Sequence, residues 1–249
     1  MNILGWPFSI VVNGDLERGS AATIAITCSV PLTEESINLQ RYVVESFAGL
    51  AAVGGLGGDR VSPMQSTAAL SGASQGAPGA TRMIWDLTAV AIDARSLIVL
   101  FNALAFLIDS ITHVAVQAPG TGPVESFSIE DIPPPWPGAP FQPDDDRTGP
   151  NVELHIEFAA PLSGGAVEIA EEALQSWLDC GSIQGYRDWS QDADRSFLAP
   201  TDDPAFAFDG NELSAMLEDS GVLDGCYDIL TNVLVKLNDS LPIVSVELT

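Results

Sequence analysis

Positive charge is what this sequence has least of. Nine Lys and Arg stand against 34 Asp and Glu in 249 residues, a formal net charge of -25, and only one of the nine, Lys236, is a lysine. Nucleic-acid binding rests on basic side chains that neutralise phosphates, so a chain with this balance is not expected to bind DNA or RNA. Adaptation to high salt would also make a chain acidic, but a salt-adapted surface is densely charged. Here charged residues make up 17% of the total, below the usual value of about 25%.

Histidine and cysteine are scarce as well. With only His113 and His155, a histidine-based metal centre or a serine-type triad has little to draw on. The three cysteines, Cys28, Cys180 and Cys226, are odd in number and lack metal-ligand spacing. They read as reduced and mostly buried, which suits a reducing compartment. No long apolar run exists either. The longest, LIVLFNALAFLI from Leu97 to Ile108, is too short for a bilayer and carries Asn102 in its middle. The stretch MNILGWPFSIVVNGD lacks a positive region and reads as a first strand rather than a signal peptide. A cytoplasmic protein without membrane contact is expected, burying roughly three-quarters of its unfolded surface.

What is present is a repeat with a spacing of 130 residues. Val30-Pro31-Leu32 matches Ala160-Pro161-Leu162, Ser46-Phe47 matches Ser176-Trp177, and Gly55 matches Gly185. Leu100, Asn102, Leu104, Leu107 and Asp109-Ser110 then match Leu230, Asn232, Leu234, Leu237 and Asp239-Ser240. Each unit reads strand, helix, short strand, long loop, strand, helix, strand. Leu154, Ile156 and Phe158 alternate with Glu153, His155 and Glu157, the period of a half-buried strand. Val167, Ala170, Leu174 and Trp177 follow at helical spacing with Glu168, Glu171 and Glu172 outward. Thr33, followed by Glu34 and Glu35, can cap the matching helix in the first unit.

This order predicts an α+β protein built by internal duplication of two ferredoxin-like (split βαβ) units related by a pseudo-twofold axis. The expected units are residues 1–118 and 151–249. Residues 119–150, which hold nine of the 17 prolines, form a Pro-rich connector pinned by Trp136 and Phe141. The second helix of the first unit, RSLIVLFNALAFLI, is apolar nearly all round, so Val99, Phe101 and Phe106 are expected to include residues covered by the other unit, the connector or a second subunit.

Charge divides the halves. Up to residue 124 there are nine acids and five arginines, 9 - 5 = 4 net negative; beyond it, 25 acids and four bases give 25 - 4 = 21. Two copies of one fold share their folding requirements, so the imbalance points to a role of the second copy. Its long loop, RDWSQDADRSFLAPTDDPAF, combines Asp188, Asp192, Asp194, Asp202 and Asp203 with Trp189, Phe197 and Phe206, whereas the counterpart GDRVSPMQSTAALSGASQGAPGATR is rich in Gly, Ala and Ser. Acids that steer and aromatics that anchor suit a basic protein partner.

Catalytic signals are weak by comparison. Glu153, His155 and Glu157 on one strand face could bind a divalent metal or share protons, but an exposed polar face is the simpler reading. Asp188, Asp192 and Asp194 lack the glycine and terminal glutamate of a calcium loop. GGLGGD, residues 54–59, lacks the Lys and Ser/Thr of a phosphate loop and reads as a turn.

The expectation is therefore a non-enzymatic acidic inhibitor, of the immunity-protein or nucleic-acid-mimic kind, without metal or cofactor. It docks on a basic toxin or nuclease through Asp188, Trp189, Asp192, Asp194, Phe197, Asp202, Asp203, Glu153, His155, Glu157 and Glu247, with a homodimer left open. The alternative is an enzyme or small-molecule binder with a site between the units that uses His155, Glu153 and Glu157.

Overall fold

The computed structural model describes residues 6–120, 132, 134–187 and 197–249. Among these, two mixed sheets and four α-helices make an α+β protein. The first sheet has the order β1 (Ser9–Asn13), β5 (Ile111–Gln117), β2 (Ser20–Cys28), β4 (Arg82–Ala91), β3 (Thr67–Gln75). The second has the order β6 (Asp144–Asp145), β11 (Ile243–Leu248), β7 (Asn151–Phe158), β10 (Glu212–Asp219), β8 (Leu198–Pro200), with β9 (Ala207–Asp209) also on β10. Helices α1 (Glu34–Ala52) and α2 (Leu97–Leu107) belong to the first half, and α3 (Gly165–Ser182) and α4 (Gly225–Ser240) to the second.

Pairing is antiparallel within each sheet except at one edge, where β1 runs parallel to β5 and β6 parallel to β11. The register repeats too. Thr23, Ala25 and Thr27 oppose Asp86, Ile84 and Arg82. The residues 130 further on, Glu153, His155 and Glu157, oppose Met216, Ser214 and Glu212.

Local sequence explains the elements. Thr33 accepts from the Ser36 amide while Ser36 Oγ accepts from the Thr33 amide, a capping box that starts α1 with Glu34 and Glu35 at its positive end. Both long helices end alike: the Gly55 amide donates to Leu50 O at 3.0 Å and the Gly185 amide to Cys180 O at 2.8 Å. The residue before each glycine has positive φ, Gly54 at 95° and Gln184 at 56°. GGLGGD is thus a helix-terminating turn.

Alternation places Leu154, Ile156 and Phe158 inside and Glu153, His155 and Glu157 on the outer face. The halves meet helix to helix, α1 against α3, so the layers run sheet, helices, helices, sheet. Buried side chains of both halves merge into one core that includes Phe47, Trp85, Trp177 and Tyr186. Helix α2 is covered as its composition predicts: Val99 and Phe101 are buried, Val99 lies against Gly185, and Phe101 meets the Trp6 ring edge-on at 5.3 Å. Phe106 is exposed at 39% and takes no part.

Two expectations change. The stretch expected as a loop in the first half contains β3, an edge strand of nine residues. Its Ser, Gly and Ala side chains conceal it because only one neighbouring strand and one half-covered face support it. In the second half the same place is divided between β8 and β9, with residues 201–206 bulging between them. All three cysteines are free and buried. No helix among the described residues is long and apolar enough to cross a membrane.

Candidate docking surface and adjoining pocket

Strand pairing assembles the outer face of the second sheet. One row across it is Asp144, Glu247, His155 and Ser214, and the next is Ser245, Glu157, Glu212 and Asp209. Glu153 and Glu218 stand on the same face. No lysine or arginine occupies these positions. Glu157 and Glu212 are directly opposed, and among the described residues the two Glu157 oxygens accept only long contacts of 3.4 Å from Asn211 Nδ2 and Ser245 Oγ. The matching rows of the first sheet are Val11, Ala115, Ala25, Ile84 and Ser9, His113, Thr27, Arg82. They hold no acid.

A second acidic feature lies at the β8 edge. Glu168, Glu171 and Glu172 of α3 face Asp202 and Asp203 across a groove of about 720 Å³, whose wall includes Phe206. Asp202 and Asp203 are exposed there, while Phe206 is buried and Phe197 half-buried. The acidic, aromatic loop is thus divided: Phe206 belongs to the core, and the two aspartates belong to the groove. Asp188, Trp189, Asp192 and Asp194 lie outside the described residues.

Glu153, His155, Glu157 and Glu247 are brought together, but on the face turned away from the first half. They do not line a site between the halves, because helices fill that space. Among the described residues no three His, Cys, Asp or Glu side chains converge to hold a metal ion.

The connector and α4 border an open-sided cavity of about 300 Å³ lined by Trp136, Phe141, Asp145, Tyr227, Asp228 and Leu248. The connector is fixed by the Trp136 amide, which donates to Asn232 Oδ1 at 2.8 Å. Arg147 lies over the Tyr227 ring at 3.6 Å and forms paired hydrogen bonds to Asp145 at 2.7 and 2.8 Å. The Tyr227 hydroxyl donates to Asp219 at 2.7 Å, and burial pushes that phenol well above its ordinary pKa. The Arg147 hydrogen bonds hold Asp145 below the usual carboxylate range. Burial, with Asp224 nearby, raises Asp228 above it.

Sequence reasoning found Glu153, His155, Glu157 and Glu247 through strand alternation, yet missed Glu212, Glu218, Asp144 and Asp209 on the same face. The spacing of Glu212, Ser214, Met216 and Glu218 carries the needed period of two. It missed the Arg147, Tyr227 and Asp228 cluster, which is distant in sequence. It also missed that Trp6-Pro7 and Trp136-Pro137 obey the 130-residue spacing. No family model matches the chain, and no curated protein matches it in sequence.

Proposed function

We propose that the chain is a non-enzymatic acidic docking protein, an inhibitor of the immunity-protein or nucleic-acid-mimic kind, whose second half receives a basic protein surface. The Glu157–Glu212 pair carries this reading. Like charges directly opposed across strands destabilise a sheet. At the same register the first sheet pairs Thr27 with Arg82, so the architecture accepts a neutral or basic residue there. Carboxylates kept where they repel are useful to a surface that meets positive charge, since docking removes the repulsion and the field speeds encounter.

The nucleic-acid site of a toxin or nuclease is one such basic surface. The groove lined by Asp202, Asp203 and the α3 glutamates extends the acidic area around the β8 edge, and Asp188, Trp189, Asp192, Asp194 and Phe197 remain part of the proposed contact.

We also infer that the halves are duplicated ferredoxin-like units. In support, β2, α1, β3, β4, α2, β5 and their counterparts share the strand order fourth, first, third, second, all antiparallel, with a register spacing of 130 between the first and third strands.

The test compares wild type, the sheet-face variant E153Q/E157Q/E212Q/E247Q, and a charge-matched control, E34Q/E35Q/E45Q/D109N, whose four acids are exposed in the first half. A basic protein retained by wild type from source cells is identified, purified and mixed with each. The sheet-face variant is expected to associate at least about tenfold more slowly at low salt, with a weaker salt dependence, and the control to behave as wild type. Equal association of both variants would overturn the reading.

A further inference from the structure

Asp228 stands where the first half has Ile98, 130 residues earlier, and Ile98 is fully covered. The helix position therefore suits an apolar residue packed inside. In the second half it carries a carboxylate that looks into the cavity under the connector. Asp228 is half-buried, and among the described residues it has no hydrogen bond and no ion pair within 4.0 Å, the Arg147 charge acting on it only from further away. Its surroundings are negative on balance: Asp145, Asp219 and Asp224 lie around Arg147, at 2.7, 3.8 and 4.0 Å, so the one guanidinium is already shared by three acids.

Aromatic faces beside an unpaired carboxylate are what a small organic cation requires, because ring quadrupoles and the negative charge both favour the cation over a neutral or anionic ligand. The protein shows the chemistry on itself, in the Arg147 guanidinium lying over Tyr227. Trp136 and Phe141 supply further ring surface on the connector side of the cavity. A volume of about 300 Å³ is at the small end of ligand pockets and suits a compact ammonium or guanidinium compound.

We propose that the cavity between the connector and α4 is a binding site for a free small organic cation, held by the Asp228 carboxylate and the rings of Trp136 and Phe141. Its lining residues Asp145 and Leu248 alternate with Asp144 and Glu247 of the acidic sheet face, so the site lies on the opposite face of those strands and stands or falls separately from the docking function.

The full chain is titrated with tetramethylammonium, choline and methylguanidinium, followed by Trp and methyl resonances in NMR spectra, beside 3,3-dimethylbutanol, which has the shape of choline without its charge. D228N and F141A are titrated in parallel, and thermal unfolding establishes that each is folded. At least one cation is expected to saturate the site, with the neutral analogue bound at least about tenfold more weakly. D228N should lose about tenfold or more, and F141A several-fold, while association with a basic protein at the sheet face is unchanged in D228N. The proposal is overturned if no cation shifts the pocket resonances, if choline and its neutral analogue bind alike, or if D228N binds as wild type does.

Discussion

Asn102 and Asn232 reach across the molecule in opposite directions: each donates its side-chain N–H to a carbonyl of the other half, Asn102 to Arg187 O at 3.2 Å and Asn232 to Gly57 O at 3.2 Å. The two acceptors are themselves 130 residues apart. Each amide oxygen also accepts from a tryptophan that precedes its half, from Trp6 Nε1 and from the Trp136 amide, both at 2.8 Å. One buried amide thus ties three segments together. Replacing either Asn by Ala leaves buried partners without a donor and an acceptor, and is expected to lower stability by about 2 kcal/mol. Urea unfolding of N102A and N232A measures it, and a change within error would show that these bonds are incidental.

The turns that receive those amides tolerate no side chain. A Cβ on Gly185 would lie 2.8 Å from Val99 Cγ1 and 2.8 Å from Cys180 O. G185A is expected to cost about 1–3 kcal/mol through overpacking. V99A should restore part of the loss, because one of the two crowding atoms is removed while Cys180 O stays, and a double-mutant cycle reads the coupling.

Glu212→Arg copies the residue the first sheet has at this register, Arg82. It should raise stability by about 0.5–1 kcal/mol at low ionic strength by turning a repulsive cross-strand pair into an attractive one. The gain should shrink as salt screens the pair. The same change should slow association with a basic partner, so stability and docking move in opposite directions.

Two aspartates at the connector respond to pH with opposite sign. Burial raises the folded-state Asp228 carboxyl, so its stabilising contribution is full below the ordinary carboxylate pKa and is lost as pH rises through the raised value. Arg147 depresses Asp145, so its contribution is present above the ordinary pKa and is lost as pH falls through the depressed value. D228N should therefore be slightly more stable than wild type at neutral pH, by under about 1 kcal/mol because the site is partly solvated, with no gain in acid. D145N should be less stable at neutral pH, and its deficit should close in acid. Unfolding midpoints across the acid range decide both.

Cys180 and Cys226 are buried, and burial pushes both thiols well above their ordinary range. Neither should react with an aromatic disulfide reagent in the native state. Full reaction is expected in denaturant, and fast reaction of either under native conditions would contradict the packing described.

How much was legible in the sequence depends on whether a residue's neighbours were near in sequence or distant. The cap at Thr33, the alternation through Glu153 to Phe158 and the covered helix α2 follow from local spacing. The spacing of 130 also survives in the register of β2 on β4 and of β7 on β10. Strand β3 was lost because its Thr-Ala-Ala-Leu-Ser-Gly run has no apolar face strong enough to mark it. Splitting the corresponding strand into β8 and β9 depends on the Pro- and Asp-rich residues 201–206, whose place follows from α3 across the groove. The cavity at Asp228 needed Trp136, Arg147 and Tyr227 brought together, and although Trp136 and Phe141 mark the connector as pinned, nothing in its composition names α4 as the element they meet.

Lys236, the chain's one lysine, has its ammonium between two carbonyls of the first half, at 2.6 Å from Ala52 O and 3.1 Å from Ser66 O. Burial lowers its pKa, yet the amine that would gain nucleophilicity is occupied as a donor at the end of α1. Acylating reagents therefore meet a half-buried amine that must first release two carbonyl partners. The rate of lysine modification reports how often those bonds between the halves open, readable by mass spectrometry.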